Sequence, residues 1–150
     1  MRRIARCVTG VGIGVLAVMG GAIKAQTATP PATPSASKVF AFDQMPARKA
    51  ANGTESRSVP GFTLTTGETI GMHESVQPPG LAPVALHAIH HSELILIQEG
   101  SLLFEHDGKQ EKAGPGDMVY VAEGTTHRMT NVGPGPAKYF VVQIGGDMKK

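Results

Sequence analysis

The sequence predicts an all-β fold, one antiparallel barrel or sandwich, and three observations carry that prediction. From Phe62 onward, short β-prone segments alternate with Gly- and Pro-marked breaks at about 8–12-residue intervals, the rhythm of sandwich and barrel strands. No segment after Lys38 sustains a 3.6-residue apolar period; only Ala47–Ala51 has a faint helical pattern. In "ELILIQ", Glu93, Ile95 and Ile97 share one face and Leu94 and Leu96 the other, as alternation in a strand requires.

The chain has 150 residues, room for a single domain. Its opening, "MRRIARCVTGVGIGVLAVMGGAIKAQ", places Arg2, Arg3 and Arg6 before an apolar run and then small residues ending at Ala25. That is the layout of a secretory signal peptide, assigned to residues 1–25, and it predicts an exported protein, periplasmic or secreted. The apolar run, Val8 to Ile23, is shorter than the ~20 residues a bilayer span needs, so no stable membrane insertion is expected once the leader is removed. Four of the 14 Lys and Arg residues fall in the leader, leaving 10 against 12 Asp and Glu, a net charge of −2. This balance gives no reason to expect a nucleic-acid partner. The single cysteine, Cys7, leaves with the leader, so the remainder must be stable through its core or through oligomerisation.

Residues 26–37, "QTATPPATPSAS", have nothing to bury and read as a disordered linker; residues 38–150 form the domain. "VFAF" is a candidate first strand, and "DQMPARKAANGTESRSVPG" reads as irregular. The strand candidates that follow are "FTLTT", "TIGMHESV", "PVALHAI", "ELILIQ", "SLLFEH", "DMVYVA", "THRMTNV" and "KYFVVQI". Asp107-Gly108 is a hairpin signal. Because both faces of "ELILIQ" are apolar, this strand is expected to be covered on both sides, by a second sheet or a partner subunit. Together with the apolar "YFVVQI", it points to a homodimer.

The chemistry-bearing stretch is "LHAIHHSELILIQEG", with His87, His90, His91 and Glu93 crowded before an apolar strand. Glu93 shares its face with two isoleucines, where a lone carboxylate is costly unless paired, hydrogen-bonded or metal-bound. Downstream, His127, Met129 and Asn131 also share a face. His90 reads as an exposed turn residue, His73 as a structural histidine near the barrel mouth, His106 as a surface residue and Arg57 as an exposed cation.

These residues resemble the two motifs of the cupin family, G(X)5HXH(X)3,4E(X)6G and G(X)5PXG(X)2H(X)3N. The second is matched by Gly116, Gly124, His127 and Asn131, with Ala122 in the proline's place. The first is matched by His87, Glu93 and Gly100; Ile89 stands where its second histidine belongs, and Leu81 where its leading glycine belongs. The resemblance spans roughly Gly67 to Ile144 and implies a single jelly-roll β-barrel. It also implies one divalent metal, Fe, Mn or Zn, held inside by His87, Glu93 and His127. His91 or His90 is the candidate replacement for the missing histidine, with His91 preferred because strict alternation puts it on the face of His87 and Glu93. The partner so implied is a small-molecule ligand, as substrate of a metal-dependent oxygenase, isomerase or lyase. The alternative is a metal-free ligand-binding or structural dimeric cupin, with His87 and His127 hydrogen-bonding Glu93 in a polar pocket.

Overall fold

The computed structural model describes residues 37–146; the expected signal peptide, residues 1–25, and nearly all of the expected linker lie outside the described residues. A short 3-10 helix, Phe42–Gln44, precedes ten strands: β1 Ala47–Lys49, β2 Glu55–Thr63, β3 Thr69–Gln77, β4 His87–Ala88, β5 Ser92–Glu99, β6 Leu102–His106, β7 Lys109–Ala113, β8 Met118–Val121, β9 Thr126–Asn131 and β10 Ala137–Ile144. They form a six-stranded sheet in the order β1-β2-β3-β10-β5-β8 and a four-stranded sheet in the order β4-β9-β6-β7. Every pairing is antiparallel, and the two sheets form the jelly roll that the sequence predicts.

The core lies between the sheets, on the inner parity of each strand. Ile95, Leu102 and Val121 are fully buried, joined by Ile97, Phe104, Met129, Tyr139 and Val141. Each large aliphatic side chain removed from water contributes about 1.5–3 kcal/mol. Gly100, which closes the first motif, has φ +85°, and a Cβ there would lie 2.6 Å from Ala137 Cα. Only glycine fits between β5 and the start of β10, which explains the motif residue sterically.

Several expectations are corrected. "VFAF" is not a strand; residues 38–41 are irregular. The faint helical pattern at Ala47–Ala51 is instead the edge strand β1 and the turn after it. Most of β2 lies in the segment read as irregular; it tolerates Pro60 and Gly61 because its ladder with β3 slips between Val59 and Phe62. β7, "KQEKA", has no apolar pattern, since four of its five residues are exposed on the sheet edge. It is held in place by the Asp107-Gly108 turn, with φ +47° and +74°, which confirms the hairpin signal. Within one chain the second sheet covers only the inner face of β5: Ile95 is 2% exposed, whereas Leu94 and Leu96, on the face expected to need a partner subunit, are 39% and 41% exposed.

Candidate functional site

The site is assembled at one end of the barrel from β4, the turn after it, β5, β9 and β10. Alternation continues unbroken through that turn: Ile89, His91, Glu93, Ile95 and Ile97 are all buried, while His90, Leu94 and Leu96 are exposed. The turn is fixed from two sides. Gly124 N–H donates to Ile89 O at 2.9 Å, and Gly146 (φ +63°) lies so close that a Cβ on it would meet His90 O at 1.6 Å. His91 therefore points inward beside Glu93, the parity that nominated it.

His127 on β9 is directly opposite His87 on β4, with ring centroids 4.8 Å apart. Each ring directs Nδ1 at the carbonyl two residues earlier: His87 at Ala85 O, 3.3 Å, and His127 at Thr125 O, 3.1 Å. A carbonyl only accepts, so Nδ1 carries the hydrogen, and the tautomer so fixed is the one with its lone pair on Nε2. Burial pushes the His127 imidazole below the usual histidine range, with the bond to Thr125 opposing and His87 reinforcing that shift. His127 Nε2 lies 3.8 Å from Glu93 Oε2, too far for a hydrogen bond and, with the ring neutral, not an ion pair. The other carboxylate oxygen, Oε1, is 3.0 Å from His91 Nε2.

The two histidines differ in access. His127, His91 and Glu93 are buried, at 3%, 6% and 7% exposure, whereas His87 is exposed at the rim. Ile89, in the second motif histidine's place, is part of the apolar core. His90 is exposed, as expected, but also borders the cavity. His73 lines the cavity as well. His106 and Arg57 depart from expectation. The His106 side chain is only 17% exposed, stacked on Phe104 with its Nε2 2.6 Å from Glu111 Oε2. Arg57 is half-buried, donates to Met45 O at 2.8 Å and covers the Phe42 ring.

The strands line an open cavity of ≈ 460 Å³. Ile89, Ile95, Met129 and Val141 form its apolar wall, and the imidazoles, Glu93 and Gln143 its polar one. Among the described residues lining it, none is Lys or Arg. Three basic side chains of the barrel strands are engaged elsewhere: Arg128 with Glu105, Lys138 with Glu74, and Arg57 with Glu55. Gln143 escaped the sequence reading. Its signal was parity in "YFVVQI", where Tyr139, Val141 and Gln143 share the inner face and the last is polar.

Whether these residues suit a divalent metal is a question of donor chemistry. Two Nε2 lone pairs, one carboxylate and a third imidazole are the nitrogen and oxygen donors that Fe, Mn and Zn take. Backbone carbonyls orient His87 and His127 in the manner of outer-shell partners. His91 Nδ1 is buried without a partner. Among the described residues, no three His, Cys, Asp or Glu side chains already surround one point. The donors fit the group in kind; they are not closed into a finished cage.

Comparison with known proteins agrees with the architecture. Residues 72–143 match the family described as "Cupin domain". No curated protein matches the chain by sequence. Among solved structures, the chain is similar to a predicted oxalate decarboxylase from Thermotoga maritima, at 19% identity and TM-score 0.60, covering 71% of this chain and 98% of that one. It is similar to an RmlC-like cupin from Shewanella frigidimarina, at 18% identity and TM-score 0.58, over 75% and 95% of the two chains. A sugar phosphate isomerase of the cupin superfamily from Silicibacter pomeroyi aligns at 21% identity and TM-score 0.59, over 71% and 74%. At such identities the likeness is one of fold. The domain match over residues 72–143 and the jelly-roll barrel together support a cupin-family protein.

Proposed function

We propose that this is an exported cupin that binds one divalent metal inside its barrel and binds or acts on a small molecule there. The observation that carries the reading is the convergence of His91, Glu93 and His127, with His87 at the rim, beside an open cavity. In this reading His87, Glu93 and His127 hold the metal, and His91 stands in for the histidine replaced by Ile89. When bound, the metal supplies a Lewis-acid centre with positions open to a ligand. The chain's own residues do the rest. Thr125 O and Ala85 O fix the imidazole tautomers, Glu93 lowers the net charge of the site, and the apolar wall excludes water from one side of the ligand. The absence of Lys and Arg from the described lining favours a compact ligand without a phosphate group, unlike the substrate named for the Silicibacter pomeroyi isomerase.

Elemental analysis of the purified protein beside His127→Ala tests this. Near-stoichiometric Fe, Mn or Zn that disappears in the variant is the expected result. A wild-type protein that holds none, and takes up none after dialysis against each ion, leaves the second reading: a metal-free ligand-binding or structural cupin. Ile89 in the core is the observation favouring that alternative.

The homodimer belongs to the same proposal. Leu94 and Leu96 of β5 face Tyr120 and Met118 of β8 across the ladder, and all four are exposed on the outer side of the six-stranded sheet. Such a contiguous apolar face suits a second copy. A light-scattering mass equal to the monomer at micromolar concentration contradicts it.

A further inference from the structure

We infer that Gln143 is the positioning residue that holds Glu93 and His91 side by side as a pair of adjacent donors; the inference rests on the metal reading above. Gln143 sits on β10 directly opposite Glu93 on β5, and opposite Gly71 on β3. Gly71 presents no side chain beside it on the β3 side, and the glutamine makes its bonds on the β5 side. Its Nε2 lies 3.2 Å from Glu93 Oε1 and 3.1 Å from His91 Nε2, and those two atoms are 3.0 Å apart. The three atoms form a nearly equilateral triangle.

The polarity of the triangle is determined by its chemistry. An amide oxygen at the Gln143 vertex would face a carboxylate oxygen at 3.2 Å, so the nitrogen, with two hydrogens, belongs there. One hydrogen serves Glu93 Oε1 and the other is directed at His91 Nε2. In the tautomer with the hydrogen on Nδ1, a carboxylate oxygen and an imidazole lone pair lie 3.0 Å apart and repel unless something positive lies between or beside them. Gln143 supplies that positive edge without adding net charge, which keeps two electron-pair donors adjacent before any cation arrives. Holding Oε1 on this side also leaves Oε2 turned toward His127 Nε2. Outer-shell partners of this kind typically change metal affinity 10–100-fold when removed.

The test is a competitive Zn(II) titration of the full chain with Gln143→Met, which preserves length and volume but has no donor. A second variant, Gln143→Asn, keeps the amide but retracts it by one methylene. Both are expected to weaken Zn(II) binding by roughly 10–100-fold while melting within a few degrees of the wild type. The Co(II) absorption spectrum, which reports ligand geometry and which a merely structural role would not move, is expected to shift in both. Wild-type affinity and an unshifted spectrum in Gln143→Met overturn the role of Gln143 alone. A wild-type chain that takes up neither Zn(II) nor Co(II) overturns the metal reading and this inference with it, so the two failures are distinguishable.

Discussion

Two polar clusters lie inside this barrel, at different levels, and they differ in how completely they are satisfied. The first contains Gln77, Asn131 and Tyr139. Gln77 donates to Tyr139 Oη at 2.9 Å and to Met129 O at 3.3 Å, and accepts from Asn131 N–H at 3.0 Å. Asn131 donates to Gln77 O at 2.9 Å and Gly135 O at 2.8 Å, and accepts from Gly133 N–H at 2.9 Å. Each of these bonds ends on another protein group. The second cluster, His87, His91, Glu93, His127 and Gln143, instead leaves two Nε2 lone pairs and a buried Nδ1 without protein partners. Both clusters carry a residue of the second motif. Asn131 is spent on architecture, linking β9 to the end of β3 and to the loop that follows it, while His127 keeps its free nitrogen for something else. Saturation, rather than burial or polarity, separates scaffold from site.

The comparison can be broken most readily at Asn131. Asn131→Ala removes three hydrogen bonds and leaves two carbonyls and an N–H without partners, so a loss of about 2–4 kcal/mol is expected. Urea unfolding measures it, and a loss below about 1 kcal/mol would mean the first cluster is not structural. A smaller effect is expected for Tyr139→Phe, which leaves one Gln77 N–H unpaired and costs about 1–2 kcal/mol. Burial raises the Tyr139 phenol above its ordinary range, with Gln77 and Ser75 opposing, so this hydroxyl stays protonated at neutral pH.

In the second cluster, His127→Leu is expected to change the stability of the metal-free protein by less than about 1 kcal/mol, since one polar pocket residue gives way to apolar packing. The same variant should lose the metal-dependent rise in melting temperature. An ion at 100 times its Kd stabilises by about 2.7 kcal/mol. Equal stabilisation of variant and wild type would break the assignment.

The smallest effects are in pH dependence, where two histidines carry opposite signs. His127, depressed by burial, contributes stability that is full above the unfolded value of about 6.5 and is lost as pH falls through its lower folded value. His106 is raised above the ordinary range, chiefly by its hydrogen bond to Glu111. Its contribution is full below about 6.5 and is lost as pH rises through the folded value. His127→Leu should therefore flatten the acid side of a melting-temperature profile, and His106→Gln the side above neutrality. Identical slopes in both variants would show that other groups dominate.

The sequence by itself determined the strand rhythm from Phe62 onward, the Asp107-Gly108 hairpin and the inward face of Glu93, Ile95 and Ile97. Those features are local: a period of two and a turn requiring positive φ are written in adjacent residues. Parity also placed His91 beside Glu93, although the intervening turn made this readable only once Gly124 and Gly146 were seen to fix it. β2 and β7 were illegible because edge and bulged strands bury too little to impose an apolar pattern. His106 looked superficial because its cover combines Phe104, two residues earlier on the same face of β6, with Glu111, brought alongside from β7 by the hairpin. Only the tertiary structure decided that His127 faces Glu93 across the barrel, that Gln143 sits opposite Glu93, and that Asn131 is satisfied while His127 is not. Each depends on register between strands far apart in sequence, and whether a polar atom is satisfied is a property of the pair, which neither residue encodes alone.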